Sequence, residues 1–172
     1  MDLQTEYKYN TSIEMLEYML SSHPYHQEPF QIMNKMYIGN YHRIERGEAF
    51  SKITRSKSKE LFYKDIENIE KYHLLAKLKL PQNLYDVCVH FIYDYGKQVF
   101  KNSKFYFYIK TQNTEKILEE LQRYKVYKNT MNKGSISRRN FDINLVKYNK
   151  YGTTKEHGNK KSLSRKITGF SF

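Results

Sequence analysis

One segment of the chain constrains the fold more than any other, because it has the pattern of a helix with one apolar side. Its apolar side chains recur at helical spacing and form a continuous stripe: Leu84, Val87, Cys88, Phe91, Ile92 and Tyr95. Asn83 and Asp86 form a capping pair at its start, and Gly96 is suited to end it. We therefore predict a helix over residues 84–95 that lies in the core, with Cys88 as a small buried side chain.

Length and composition predict one globular domain with a modest core. The 172 residues are 39% hydrophobic and include 17 tyrosines and 10 phenylalanines, whose burial removes large areas from water. No apolar run reaches the roughly 18 residues of a membrane-spanning helix, and the N-terminus lacks the pattern of a signal peptide. A single cysteine excludes an internal disulfide and a cysteine-based zinc site. We expect a cytoplasmic protein, or a nuclear one if the host is a eukaryote, without a membrane partner.

Periodicity predicts the other elements of an α+β fold. The predicted helices cover residues 11–22, 41–53, 58–72 and 114–124, and the predicted strands lie near 32–38 and at 74–80, 105–109, 124–128 and 140–148. Residues 1–150 form one predicted domain, with a helix-turn-helix-like segment (41–80), the helix 84–95 and a strand-helix-hairpin (105–148). Residues 151–172 are predicted as a flexible basic tail.

Charge is distributed very unevenly along the chain. Residues 1–122 hold 17 Lys/Arg against 16 Asp/Glu, whereas residues 123–172 hold 13 Lys/Arg against Asp142 and Glu156. Almost all of the net charge of +12 therefore lies in the last fifty residues. A near-neutral body with a basic end is typical of a protein that meets a polyanion, and we expect nucleic acid as the partner. The competing interpretation is the lysine-rich composition of an AT-rich genome, which does not account for the segregation of bases from acids.

The segment from Ser56 to Leu75 has a hydroxyl-rich basic start followed by a helical pattern. Serines open the helix, Asp65-Ile66 and Ile69-Glu70 lie in its middle, and Leu74-Leu75 follow its end. This segment resembles the recognition helix of winged-helix DNA-binding proteins, over about residues 50–80. The resemblance implies a small winged-helix-like helical core, to which the sequence adds a C-terminal β-hairpin and a basic tail. It also implies that the first turn of this helix contacts the major groove.

The candidate nucleic-acid-binding residues come from the helix, the hairpin and the tail. They are Arg55, Lys57, Lys59, Lys64, Lys125, Lys128, Lys133, Arg138, Arg139, Lys160, Lys161, Arg165 and Lys166. Arg138 and Arg139 are expected to hold the DNA backbone, because cations of this kind bind phosphate without reading sequence. Tyrosines among these bases keep single-stranded DNA or RNA open as the ligand, with DNA favoured. A homodimer is expected if two half-sites are read.

Motifs for catalysis and cofactors are sparse. His23, His26 and Glu28 offer metal-ligating groups, but a loop across a proline is poorly organised for a metal, so we predict no metal site. The sequence has no Walker loop, no dinucleotide-binding glycine pattern and no nucleophile elbow, and no cofactor is expected.

We predict a non-catalytic DNA-binding protein, a transcriptional regulator or replication accessory factor of a phage, plasmid or virus. Two alternatives remain open. One is a nuclease-type toxin or anti-host factor, and the other is a protein that binds and inhibits a host nucleic-acid-processing complex.

Overall fold

The computed structural model describes residues 9–125 and 133–152, which form a helical body with one small sheet. The helices are α1 (Ile13–Ser22), α2 (Arg55–Glu70), α3 (His73–Ala76), α4 (Gln82–Tyr95), α5 (Lys97–Asn102), α6 (Lys104–Lys110), α7 (Thr114–Arg123) and α8 (Lys133–Tyr148). The strands are β1 (His26–Ile32), β2 (Lys35–Gly39) and β3 (His42–Arg43), which pair antiparallel in the order β1-β2-β3. No helix within these ranges is long and apolar enough to cross a membrane.

The main core surrounds α4. Along α4 every residue from Val87 to Ile92 is buried, and large side chains from the neighbouring helices fill the space around it. The largest of these fully buried apolar side chains are Phe62, Phe91, Phe100, Phe105, Met15 and Met19. The predicted helix over 84–95, with a buried Cys88, is confirmed. Its apolar stripe was informative because apolar residues that recur at helical spacing mark the side of a helix that enters the core.

The capping pair predicted for α4 is wrong. Pro81 occupies the N-cap position, and no side chain caps the helix there. Asp86 instead accepts hydrogen bonds from the Ser12 amide at 3.1 Å and from the Tyr151 hydroxyl at 2.6 Å. Ser12 in turn caps α1. Asp86 therefore ties the start of α1 and the segment after α8 to α4.

The sheet packs tightly against the start of α2. Gly39 ends β2 with a φ of +61°, and a Cβ placed there would lie 2.5 Å from the Ser58 hydroxyl oxygen. That hydroxyl accepts a hydrogen bond from the Asn40 amide at 2.9 Å and donates one to the Asn40 side chain at 2.6 Å. A residue without a Cβ is required at position 39, because the backbone is left-handed and α2 is too close. The sheet is thereby held at a defined position on the helical body.

Several predicted elements are wrong. Residues 105–109 belong to α6, residues 74–76 belong to α3, and residues 140–148 belong to α8. Residues 41–53 form β3 and irregular structure instead of a helix. The aromatic run of α6 favours a strand locally, but Ser103 caps a helix there, and Phe105 and Ile109 enter the core one helical turn apart. Most of the predicted strand at 124–128 and most of the tail lie outside the described residues.

The winged-helix arrangement is also wrong. The sheet precedes α2 in the chain, whereas a wing would follow the recognition helix. Where the first wing strand was expected, the short helix α3 begins at His73, directly after α2. The C-terminal hairpin is replaced by α8 over residues 133–148. Local hydrophobic alternation therefore misassigned segments whose apolar residues are used at helical spacing in the core.

Candidate functional site

A cleft of ≈ 1020 Å³ lies between the sheet and the helical body. The sheet and the following loop form one side, α2 and the end of α4 form the other, and α8 contributes to the lining. Residues of the lining include His26, Phe30, Tyr37, Tyr41, His42, Lys64, Asp65, Tyr93, Asp94, Lys97 and Arg138. Concave sites of this size with mixed aromatic and polar walls are typical ligand sites, so this cleft is the candidate functional site.

The sheet side of the cleft is aromatic. We call His26, Phe30, Tyr37 and Tyr41 the aromatic face. His26 stacks on Phe30 with ring centroids 3.9 Å apart, and Phe30 lies 5.2 Å from Tyr41 and 5.9 Å from Tyr37. All four side chains are partly exposed. The face therefore presents a continuous, partly exposed set of rings to the cleft.

Tyr41 connects the aromatic face to the helical body. Its backbone is left-handed, with φ 68°, which is uncommon for a bulky residue. Its ring lies 5.2 Å from the ring of His23 and 5.8 Å below the guanidinium of Arg138. These contacts stabilise a conformation that the local sequence disfavours.

Beneath the cleft lies a buried group of charged residues, which we call the charged floor: His23, His90, Asp94, Arg138, Arg139 and Asp142. Asp94 is its centre. His23 Nε2 lies 2.7 Å from Asp94 Oδ1, while Arg138 Nε and Arg139 donate to Oδ2 at 3.0 and 2.8 Å. Burial alone would raise the pKa of Asp94, but Arg138, Arg139 and His23 outweigh it and hold the pKa well below its usual range. Asp94 is therefore a carboxylate whose two oxygens are both engaged by basic side chains.

The second half of the charged floor lies deeper. Arg139 is fully buried and also contacts Asp142 Oδ2 at 3.0 Å, and Asp142 Oδ1 lies 2.7 Å from His90 Nδ1. These pairs join α4 to α8 inside the core. Because each ion faces an opposite charge within hydrogen-bond distance, the group satisfies the main requirement for burying charge.

Three side chains of the charged floor have the spacing of metal ligands. Ligand atoms of His23, His90 and Asp94 lie within 4.8 Å of one another. Asp94 already accepts hydrogen bonds from the guanidinium groups of Arg138 and Arg139, so a cation at this point would be repelled by two fixed positive charges. The three side chains therefore do not suit a metal ion.

A second polar group lies on the sheet side, around His42. Its Nδ1 lies 2.8 Å from Asp65 Oδ2 and its Nε2 lies 3.1 Å from Glu48 Oε2. Burial alone would lower the pKa of His42, but the hydrogen bonds and charges of Asp65 and Glu48 raise it. The pKa of Glu48 is lowered, first by the backbone hydrogen bond from Glu45 and then, against the effect of burial, by His42. His42 therefore engages both carboxylates.

The predicted nucleic-acid-binding residues do not assemble as expected. Arg138 and Arg139, expected to hold a DNA backbone, are buried and face Asp94, so they offer no exposed charge to a phosphate chain. Lys64 lines the cleft with Arg138. Two other described members contact neighbours: Arg55 lies over the ring of Tyr25, and Lys57 pairs with Glu60. Lys59 and Lys133 are exposed, and Lys125 is half-buried. Lys128, Lys160, Lys161, Arg165 and Lys166 lie outside the described residues.

Sequence reasoning missed the aromatic face and the charged floor. It considered His23 only as a metal-ligating group of a loop, and 71 residues separate His23 from Asp94 in the chain. The available signal was the presence of charged residues on helices with buried positions: Asp94 lies between Ile92 and Tyr95 of the α4 stripe, and Arg139 and Asp142 lie beside Phe141 in α8. Charges at such positions are rarely buried without partners, so they indicate an internal network.

Comparison with known proteins identifies the fold and the family. The sequence model of the phage lysozyme family matches residues 20–142, which is 123 of 172 residues. Among solved structures, the chain is similar to the muramidase domain of SpmX from Asticaccaulis excentricus, with TM-score 0.66 and 19% identity over 81% of this chain and 98% of that one. No curated protein sequence matches.

Two further solved structures agree with this result. The endolysin from Escherichia coli O157:H7 phage FAHEc1 has TM-score 0.63 and 18% identity over 83% of this chain and 96% of its own. A P22 lysozyme mutant has TM-score 0.58 and 18% identity over 79% and 97%. The fold is therefore lysozyme-like, helical with a small three-stranded sheet.

These findings overturn the function expected from the sequence. The winged-helix resemblance, DNA binding, transcriptional regulation and a nucleic-acid partner are wrong, because the matched family and the similar structures are lysozymes and muramidases. Neither alternative, the nuclease-type toxin or the inhibitor of a host complex, is supported. A phage origin is consistent with the match. Since the family model covers more than two thirds of the sequence, the chain belongs to the phage lysozyme family.

Proposed function

We propose that this protein binds the glycan strand of peptidoglycan in the cleft between the sheet and the helical body. The observation that supports it most directly is the aromatic face, which lines one side of a cleft large enough for an oligosaccharide. Membership of the phage lysozyme family points to the same ligand, as do the similar structures, whose names are muramidase, endolysin and lysozyme.

The chemistry of the cleft suits a chain of sugar rings. A pyranose has apolar C–H faces that pack on aromatic rings, and hydroxyls at its rim that need hydrogen-bond partners. Phe30 and Tyr37 offer ring surfaces, and polar side chains such as Asn68 and Gln98 lie on the helical side. A volume of ≈ 1020 Å³ is at the upper end of small-molecule sites, which favours several sugar units over one.

The cleft also carries cations that match the acidic groups of peptidoglycan. Lys35, Lys64 and Lys97 are exposed and lie on its lining. The stem peptides attached to the glycan end in carboxylates, which these ammonium groups would attract. Because peptidoglycan lies outside the bacterial cytoplasm, this ligand moves the proposed place of action from the cytoplasm to the cell wall.

Sedimentation with insoluble peptidoglycan tests the proposal. We expect the full-length protein to sediment with purified sacculi, and Phe30→Ala combined with Tyr37→Ala to weaken retention by about tenfold or more, since buried aromatic contacts dominate binding energies. The matched control is Phe107→Ala, which removes a ring that is 59% exposed and lies on α6, outside the cleft lining. Retention of the control should equal that of the wild type. A wild-type protein that stays in the supernatant would refute the proposal.

A further inference from the structure

We infer that the cleft holds the glycan strand without cleaving it, because each carboxylate that lines its described part is already engaged by a basic side chain of the same chain. This inference rests on the proposed function. The family name suggests both binding and hydrolysis of the glycan, whereas we assign only binding to this protein.

In most glycosidases, hydrolysis uses two carboxyl groups that flank the scissile bond. One must be protonated near neutral pH so that it can donate a proton to the leaving oxygen, and apolar surroundings usually raise its pKa for this purpose. The other must be free to act as a nucleophile or to activate water, at a separation of about 5–5.5 Å or about 6.5–9.5 Å. The carboxyl groups of this cleft can be compared with these requirements one by one.

Asp94 lines the cleft at the end of α4, and it fails both requirements. Its side chain is only 6% exposed, and both oxygens are occupied by His23, Arg138 and Arg139. The two guanidinium groups hold its pKa well below the usual range, although burial opposes them, so it carries no proton to donate. As a nucleophile it would first have to leave two fixed cations, at the cost of an uncompensated buried charge.

The remaining carboxylates of the cleft lie around His42 and in the loop that follows the sheet. Glu48 and Asp65 both face the ring of His42, and the pKa of Glu48 is lowered. Glu45 is 62% exposed and lies 3.4 Å from Arg43. Glu45 therefore faces water and a guanidinium group instead of the apolar surroundings that a general acid of this kind uses.

An acidic side chain whose pKa is raised lies outside the cleft. It is Asp86, where burial outweighs its hydrogen bonds. Asp86 is fully buried, is no part of the cleft lining, and accepts hydrogen bonds from Ser12, Gln82 and Tyr151. The buried surroundings that raise the pKa of a carboxyl group are therefore found where α1 is attached to α4, outside the cleft. The cleft has the shape and the aromatic rings of a glycan site, but its charged groups form ion pairs within the protein.

The test measures binding and cleavage on the same sample. Full-length protein is incubated with purified sacculi over a range of pH from about 4 to 9, with an active lysozyme as positive control. Bound protein is measured by sedimentation, and new reducing ends and soluble glycan fragments are measured in the supernatant. We expect protein in the pellet and reducing ends at the level of the buffer blank at every pH.

The possible outcomes separate the two proposals. Reducing ends that increase with the amount of bound protein would overturn the inference and leave the proposed glycan binding intact. A protein that neither sediments nor cleaves would overturn both, because nothing would then be held in the cleft. A soluble oligosaccharide of the strand, recovered at its original mass after prolonged incubation with the protein, would support the inference independently of the insoluble material.

Discussion

The two sides of the cleft use their functional groups in opposite ways. On the sheet side, the rings of the aromatic face are partly exposed and pack mainly on one another. On the helical side, the charged floor is buried, and its carboxylates form ion pairs with its guanidinium groups. The difference indicates which groups are accessible to a ligand: the rings are partly exposed and can exchange water for sugar, whereas most of the charged groups are buried. Ligand binding is therefore expected to depend on the sheet side, and stability on the charged floor.

The largest expected effect is on the charged floor. Replacing Arg139 with methionine removes the guanidinium that Asp94 and Asp142 share and leaves both buried carboxylates poorly compensated. We expect the free energy of unfolding to fall by about 3–5 kcal/mol, measured by urea denaturation followed by circular dichroism. The matched control is Arg46→Met at an exposed arginine, which should change it by less than about 0.5 kcal/mol. Similar losses in the two variants would mean that the charged floor does not support the fold.

A smaller effect is expected where the sheet meets α2. Gly39→Ala places a Cβ 2.5 Å from the Ser58 hydroxyl oxygen on a left-handed backbone, and we expect a loss of about 1–3 kcal/mol in the same measurement. Gly47→Ala is a useful comparison, because its φ is +95° but nothing lies within 4 Å of the added Cβ. The difference between the two variants isolates the contact with α2. If Gly47→Ala lowers the free energy of unfolding by as much as Gly39→Ala, the close approach of the sheet to α2 does not contribute to stability.

The smallest expected effect is a pH dependence on the sheet side. The pKa of His42 is raised in the folded protein, because Asp65 and Glu48 outweigh the effect of burial. Its contribution is fully present below its ordinary value of about 6.5 and is lost as the pH rises through the folded value. We expect about 1 kcal/mol of stability to disappear over that interval, the net contribution of a typical hydrogen bond. A His42→Asn variant should lack this decrease, and an identical pH profile in both proteins would exclude His42 as its source.

Local sequence patterns predicted the helices best where one side of the helix enters the core. The stripe of α4 and the helical pattern of α2 were recognisable because their buried residues recur every three to four positions. The pattern failed for α6, whose aromatic run has strong strand propensity, and for α8, whose buried positions include charged residues. In both cases tertiary packing overrode local propensity.

The candidate site was beyond the reach of such patterns. The basic C-terminal segment predicted an exposed cationic surface, and part of that charge is internal. Arg138 and Arg139 are buried because Asp94, more than forty residues earlier in the chain, lies opposite them in the folded protein. Net charge counts ions without regard to their partners, so it could not distinguish a surface for polyanions from a buried ionic network.

By itself, the sequence determined the amphipathic helices, the single buried cysteine and the excess of positive charge near the C-terminus, since each follows from residue type and spacing along the chain. Only the tertiary structure decided that the strands 26–43 present an aromatic face to a cleft and that two of the C-terminal arginines neutralise an aspartate of α4. The physical reason is that ring stacking and ion pairing act over a few ångströms in space, irrespective of separation in sequence. Residues 23, 94 and 139 become neighbours only when the helices pack.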